Sequence, residues 1–144
     1  MRVLAVDYGE VRIGLAVSDA LLLTAQNPSC IRGESEAEAV ETIVRIAREN
    51  DVSRIIIGLP RNMDGSVGEQ ARKTMQFGEA LAARFDGEVK YWDERLSTQA
   101  ATRALVEGGV RRAKRRRLSD GVAALILLQS YLDSLNIRKD GEEN

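Results

Sequence analysis

Three groups of acidic residues could carry chemistry in this sequence. Asp7 stands inside an otherwise apolar segment, where an ionised carboxylate is costly unless it is paired or binds a metal. The adjacent acids Asp93 and Glu94 follow a short strand-like segment, and Asp120 begins the most apolar stretch of the chain. If carboxylates from these three elements converge, they could hold Mg²⁺ ions, and two such ions can activate a water and stabilise the leaving oxygen of a phosphodiester.

Each acidic group also has a purely structural explanation. Asp7 could cap a turn or pair with Arg12, and Asp93 and Glu94 could lie in a solvated loop. Asp120 would suit the first turn of a helix, where capping and the helix dipole both favour an acid. The local pattern therefore leaves open whether these acids converge.

The composition narrows the possible chemistry. The chain has 144 residues, with 21 Lys and Arg against 22 Asp and Glu, no His and one Cys. Without an imidazole, Ser-His-Asp, Cys-His and His-ligated zinc sites are excluded. Cys30 alone cannot build a disulfide framework within one chain. The remaining candidates are carboxylates, basic groups, hydroxyls, backbone amides or a bound cofactor.

The sequence also contains no recognisable targeting signal or membrane-spanning segment. No segment approaches the roughly 18 uncharged apolar residues of a membrane span. The first segment reaches Asp7 too early for a signal peptide. We therefore expect a cytoplasmic protein with no membrane partner, and the sequence carries no signal for an oligomeric state.

The elements that must position the acids begin with strands. Short apolar runs at residues 2–8 and 11–18 predict a hairpin, and a weaker third strand is expected within residues 22–31, where Pro28 confines it to an edge or a break. Later strands are predicted at residues 54–58 and 88–92.

Helices alternate with these later strands. Capping boxes at Ser35 with Glu38 and at Ser66 with Glu69 predict two helix starts, the first helix reaching Glu49. Two more helices are predicted at residues 98–107 and 118–135. One side is expected to recur along each of the three helices outside 98–107. Its positions are Ala37, Val40, Val44 and Ala47 on the first, Ala71, Met75, Leu81 or Ala82, and Phe85 on the second, and Val122, Leu125 or Ile126, Gln129 and Leu132 on the last.

This order of elements predicts an α/β fold. A hairpin meander followed by alternating helices and strands implies a mixed five-stranded sheet, part antiparallel and part parallel, with helices on both faces. We expect one domain over residues 1–137 and a charged, disordered tail over residues 138–144.

Four sequence blocks resemble the YqgF/RuvX family of Holliday-junction-resolvase-like or pre-rRNA nucleases. They occur in the family's order and spacing, and together they span nearly the whole chain. The blocks are DYGEVRIGLAVSD at residues 7–19, GLPRNMDGS at 58–66, DERLST at 93–98 and DGVAALILLQSYL at 120–132.

The resemblance implies an RNase H-like fold and a metal-dependent nuclease that matures the 5′ end of 16S rRNA precursor. Its catalytic and metal-binding acids would be Asp7, Glu94 and Asp120, with Mg²⁺ or Mn²⁺ in a two-ion site. The strand beside the first ends at Gly58-Leu59-Pro60 and offers no acid, so the second acid must come from the next strand. Asp93 is the alternative to Glu94 there.

Residues for binding the nucleic acid are expected around these acids. The loop after residue 60 contributes polar groups, and a run of cations broken only by Ala113 directly precedes Asp120. Such a run is often only a solvated loop, but beside a carboxylate site for polyanions it favours a clamp on phosphates. The predicted contacts are Arg12, Arg61, Asn62, Arg95, Arg111, Arg112, Lys114, Arg115, Arg116 and Arg117.

Three other functions compete with an rRNA nuclease. The same acids could serve a resolvase of branched DNA, since a contact to the 2′-hydroxyl leaves no signature in the sequence. A non-catalytic RNA-binding module is disfavoured because all three acids are present. An actin-like kinase is disfavoured because that fold needs two lobes, and 144 residues supply one.

Overall fold

The structure of the protein is a computed structural model that describes residues 1–60, 67–93 and 121–142. The predicted helix at residues 98–107 lies outside these ranges. The described elements, in chain order, are β1 (Arg2–Asp7), β2 (Arg12–Ser18), β3 (Ala25–Arg32), α1 (Glu36–Glu49), β4 (Val52–Leu59), α2 (Glu69–Arg84), β5 (Glu88–Asp93) and α3 (Ala123–Glu142).

The five strands form one mixed sheet in the order β3-β2-β1-β4-β5. The first three strands are antiparallel neighbours, whereas β4 is parallel to both β1 and β5. The predicted α/β architecture, with its antiparallel meander and parallel strands, is therefore confirmed. The expectation for Pro28 is confirmed as well, because β3 is an edge strand whose register shifts between Leu15 and Val17 of its neighbour.

Helices cover both faces of this sheet. Helices α1 and α2 pack on one face, where Leu4, Val6, Ile55 and Ile57 are fully buried. Helix α3 packs on the other face against Val3, Ala5, Ala16 and Ile56. Because alternate residues of a strand point to opposite faces, β1 contributes to both cores.

The two predicted helix starts have different outcomes. Ser35 is the N-cap of α1, and its side chain accepts a hydrogen bond from the Glu38 backbone N–H, which confirms that capping box. The prediction for Ser66 is wrong, because α2 begins after Gly68, whose extended backbone provides the N-cap without a side-chain hydrogen bond.

The predicted buried faces of the helices are only partly correct. Met75 and Ala82 are exposed, whereas Phe77, which the periodicity did not select, is buried at the centre of the α2 contact. Ala37 is also exposed. On α3 the buried residues are Ala124, Leu127, Leu128, Tyr131 and Leu132. Of the predicted positions, Leu132 is buried and Leu125 is partly buried against the same cluster. Residues 123–128 are apolar on every side of the helix, so the spacing of apolar residues cannot specify which side meets the sheet.

Helix α3 ends later than predicted. It continues through Glu142 and so includes residues 138–142 of the segment expected to be a disordered tail. Within the described ranges, no helix combines the length and apolar character needed to cross a membrane.

Polar contacts attach α3 to the strands around it. The Gln129 side chain accepts a hydrogen bond from Ala25 N–H at 2.9 Å and donates one to the Leu23 carbonyl at 3.0 Å. Farther along the helix, Arg54 of β4 donates to the Tyr131 hydroxyl at 2.6 Å, and this bond is the main reason that the pKa of Arg54 is raised. These bonds satisfy polar groups at the boundary of the core.

The start of α3 lies directly on the backbone of the sheet. Gly121 has a positive φ of +99°, and a Cβ at this position would lie 2.3 Å from the Ser29 carbonyl oxygen. A residue with a side chain would therefore meet both backbone strain and a clash at this point.

We expect Gly121→Ala to lower the free energy of unfolding by about 2 kcal/mol, since a positive φ alone costs about 1–3 kcal/mol for a residue with a side chain. Urea titration followed by circular dichroism measures this change. An unchanged midpoint and slope would show that the approach to α3 does not constrain the fold.

Candidate active site

Asp7 is the last residue of β1, the central strand of the sheet. Its side chain is half-buried. Strand alternation places it on the α3 face with Val3 and Ala5, both of which pack against that helix. Asp7 thus lies at the carboxyl end of a strand that is parallel to its neighbour β4, the edge at which open α/β sheets place their ligands.

The chain after Asp7 is anchored on the opposite face. The Tyr8 ring stacks on Phe77 of α2, with 4.8 Å between centroids and 26° between planes. Burial and then the nearby Glu10 carboxylate raise the pKa of Tyr8. Glu10 forms an ion pair with Lys73 of α2, and the hydrogen bond between them is the main reason that the pKa of Lys73 is raised. These contacts hold the turn after Asp7 against α2.

Two glycines bring the start of α3 to the strand beside Asp7. Gly14 of β2 is the register partner of Asp7. A Cβ built on Gly14 would lie 3.3 Å from the Gly121 Cα and 3.6 Å from the Cβ atoms of Ala124 and Asp7. Two side chains at these positions would force α3 away from the sheet, so this close approach depends on glycine.

The end of β5 divides its side chains between the two faces. The Trp92 ring contacts Tyr131 of α3 edge to face, with 5.4 Å between centroids. The neighbouring Tyr91 hydroxyl instead donates a hydrogen bond to the Met75 carbonyl of α2. By alternation, Asp93 shares the side of Tyr91 and lies on the face opposite to Asp7.

The predicted site residues are only partly within the described structure. Asp7, Arg12 and the alternative acid Asp93 are described, and Arg12 is an exposed residue at the start of β2. The other predicted site residues lie outside the described residues, and they are Glu94, Asp120, Arg61, Asn62, Arg95, Arg111, Arg112, Lys114, Arg115, Arg116 and Arg117. Across residues 1–60, 67–93 and 121–142, no group of three or more acids and cysteines could hold a metal ion.

Local sequence patterns did not predict the contacts that support Asp7. Tyr8, Gly14 and Gly121 all belong to the four family-like sequence blocks, so the blocks contained the signal. Their roles depend on Phe77 and Ser29, which lie in other elements, and such a pairing cannot be read from local spacing.

A groove on the other side of the molecule does not include the acids of the site. It has a volume of about 520 Å³ and is lined by residues of α1 together with Arg84 at the end of α2. Its charges are mixed, and Arg84 is 3.8 Å from Glu41. This groove is therefore a solvated surface between two helices rather than a second candidate site.

The sequence matches one protein family over residues 1–134, and that family is described as RuvX, Holliday junction resolvase. A relative from Agathobacter rectalis is 45% identical over 139 residues, covering 94% of this chain and 97% of the relative. A relative from Clostridium botulinum strain Hall is 46% identical over 136 residues, covering 94% of this chain and 99% of the relative. Both relatives are named "Putative pre-16S rRNA nuclease".

Two solved Holliday junction resolvases share the fold of this chain. The RuvC protein of T. thermophilus, solved with a Holliday junction substrate, superposes with a TM-score of 0.59 at 13% identity, covering 93% of this chain and 96% of RuvC. The fowlpox virus resolvase, solved with Holliday junction DNA, has a TM-score of 0.61 at 13% identity, covering 94% of this chain and 99% of the viral protein. At this identity the likeness establishes the RNase H-like fold alone.

Proposed function

This chain belongs to the RuvX family, and we propose that it is a nuclease that processes the 5′ end of 16S rRNA precursor in the cytoplasm. The proposal combines the family membership with the names of relatives that match nearly the whole chain. The reaction is hydrolysis of a phosphodiester bond. Because the chain has no His, no imidazole of this chain serves as acid or base in that reaction.

The observation that carries the proposal is the contact of Gly14 with Gly121 beside Asp7. Asp120 directly precedes Gly121, and consecutive Cα atoms are about 3.8 Å apart. Covalent geometry therefore ties residue 120 to a residue that contacts the strand partner of Asp7. This supports Asp120 as the second acid of the site.

Strand alternation supports Glu94 as the third acid. Trp92 packs against α3, on the face of Asp7, whereas Asp93 is directed to the other face. A strand that continues by one residue returns position 94 to the side of Trp92. Glu94 therefore fits the proposed site better than Asp93 does.

The proposed site suits divalent cations. Carboxylate oxygens are the ligands that Mg²⁺ prefers, and the half-buried Asp7 at the ligand-binding edge of the sheet would be one of them. We assign Asp7, Glu94 and Asp120 as the residues that hold one or two Mg²⁺ or Mn²⁺ ions. When bound, such ions lower the pKa of a coordinated water and stabilise charge on the leaving oxygen.

The protein's own basic residues would bind the substrate. The net charge is −1, so attraction to a polyanion must come from local groups rather than from the whole molecule. We assign phosphate contacts to Arg12, Arg61 and Arg95, a polar contact to Asn62, and a clamp to the basic residues between positions 111 and 117. Such contacts position the substrate without reading its sequence.

Resolution of branched DNA is the second candidate, favoured by the description of the matched family. It uses the same acids and the same bond cleavage, so only the substrate differs. A direct comparison of RNA and DNA substrates separates these two functions.

We expect the protein to cleave precursor 16S rRNA faster than a four-way DNA junction with Mg²⁺ or Mn²⁺ present, and to cleave neither in chelator. Asp7→Asn should lower the rate by more than about a hundredfold, since even the loss of a residue that only supports a metal ligand costs 10–100-fold. Gel assays of both substrates measure these rates, and circular dichroism checks that the variant is folded. Near wild-type cleavage by folded Asp7→Asn would refute the proposed site, and preference for the junction would establish the second candidate.

The two adjacent acids can be compared directly. We expect Glu94→Gln to lower the cleavage rate at least about tenfold more than Asp93→Asn, because alternation places Asp93 on the face opposite to Asp7. Rates at saturating metal and substrate provide the comparison. The opposite ranking would identify Asp93 as the acid of the site.

Neutralising the basic run tests the proposed clamp. For the Arg115→Ala, Arg116→Ala and Arg117→Ala triple variant, we expect weaker binding of all nucleic acids by a similar factor. The slope of log affinity against log salt should fall by about 0.7 to 0.9 for each phosphate that the variant no longer binds. Fluorescence anisotropy over a salt series measures this slope. An unchanged slope in a folded variant would show that the run is only a solvated loop.

A further inference from the structure

Two arginines face each other directly across neighbouring strands at one end of the sheet. Arg12 of β2 and Arg32 of β3 are register partners in the antiparallel pair. Like charges at such positions repel one another and destabilise the sheet, so this pair is a local cost to the fold. A bound anion would remove that cost.

Both arginines belong to the face and the end of the sheet where Asp7 lies. Gly14, two residues along β2 from Arg12, is the register partner of Asp7 and contacts the start of α3. Because side chains alternate, Arg12 shares the face of Gly14, and so does its partner Arg32. The pair is displaced from Gly14 by about 7 Å along the strand, beyond the end of β1.

Among residues 1–60, 67–93 and 121–142, acids do little to neutralise this pair. Arg12 makes no side-chain hydrogen bond or ion pair with any part of the chain that the structure describes. The nearest acid in sequence, Glu10, is paired with Lys73 on the other side of the sheet. Arg32 is 3.7 Å from Glu34, but these side chains are 86% and 59% exposed, so this is a weak surface pair that leaves the Arg32 guanidinium accessible to a ligand.

The backbone at the two arginines is held in place. Gly33, next to Arg32, donates its N–H to the Val11 carbonyl at 2.9 Å. The same glycine lies so close to the turn after β1 that a Cβ on it would be 2.6 Å from the Gly9 carbonyl oxygen. The Cα positions of both arginines are therefore fixed relative to Asp7, and only the side chains must order when a ligand binds.

We propose that Arg12 and Arg32 together bind a single backbone phosphate of the nucleic acid, one that neighbours the phosphate cleaved at Asp7. Each guanidinium offers a planar fork of donors that matches phosphate oxygens. Since β3 is the sheet edge, a strand of nucleic acid can leave the site across these residues. The proposal rests on the proposed function, because it takes a nucleic acid as the ligand, and it adds Arg32 to the binding residues.

The first test measures binding without cleavage. A fluorescently labelled single-stranded RNA and a DNA of the same sequence are titrated with the full chain in chelator over a salt series. We expect the Arg12→Gln and Arg32→Gln double variant to bind both about tenfold more weakly at moderate salt. Its salt slope should fall by about 0.7, the value for one phosphate contact with a single strand, rather than twice that amount.

Arg45→Gln is the matched control. Arg45 is an exposed arginine of α1, 4.0 Å from Glu49, and like Arg32 it has a loose acidic partner. It lies in the groove on the opposite face of the sheet. We expect the Arg45→Gln variant to have the affinity for nucleic acid and the salt slope of the wild type. If Arg45→Gln and Arg32→Gln lost affinity equally, the proposal would be overturned.

A second test identifies the phosphate. DNA strands that each carry one uncharged methylphosphonate at a different position are compared for binding to the wild type and to the double variant. We expect one position to weaken wild-type binding while leaving the double variant unaffected, since the double variant no longer binds the phosphate at that position. Equal losses in both proteins at every position would refute a site for one phosphate.

The nuclease function and the phosphate site can be refuted separately. If the wild type cleaves no nucleic acid yet the arginine variants lose affinity as expected, the proposed function is wrong and the phosphate site stands. If the wild type cleaves RNA but Arg32→Gln retains its affinity and salt slope, the nuclease stands and the phosphate site is wrong.

Discussion

The close approach of α3 to the sheet at Gly14 and Gly121 is the constraint on which the arrangement around Asp7 depends. A Cβ on Gly14 would be 3.3 Å from the Gly121 Cα, and one on Gly121 would be 2.3 Å from a backbone oxygen of β3. Larger residues would hold the helix away from the strands by the thickness of a side chain. With glycine at both positions, the chain that follows Asp120 enters α3 beside the strand partner of Asp7. One backbone contact therefore sets both the packing of the helix and the position of its start relative to a half-buried acid.

The two faces of the sheet serve different purposes near this acid. On the α2 face, Tyr8 stacks on Phe77 and Glu10 pairs with Lys73, so the turn after β1 is anchored through both apolar and ionic contacts. On the α3 face, the described helix begins over Gly14, and the sheet beyond it carries the exposed Arg12 and Arg32. An anchored turn on one side and exposed cations on the other suit a site that must hold its acids rigidly while admitting a long polyanion.

Charge distribution, rather than total charge, explains how such a protein can bind nucleic acid. With a net charge of −1, the whole molecule exerts no attraction on a phosphate backbone. Within about 10 Å, which is the Debye length at moderate salt, local groups decide the potential. Glu10, the acid nearest to Arg12 in the sequence, is paired with Lys73 of α2 rather than with Arg12. The shared fold with RuvC and the viral resolvase leaves substrate choice to such surface groups.

The sequence by itself determined the chain order of the described strands and helices, the edge position implied by Pro28, the capping of α1 by Ser35 and the placing of Asp7 at a strand end. These properties follow from periodicity, turn residues and caps, which act over a few neighbouring residues. The buried side of α3 was decided only by the tertiary structure, because a stretch that is apolar all round has no preferred face until it meets the sheet. The start of α2 at Gly68, the stacking of Tyr8 on Phe77 and the pairing of Arg12 with Arg32 were likewise decided by contacts between distant segments. Such contacts depend on which elements become neighbours in space. Local sequence patterns carry no information about which distant segments will meet.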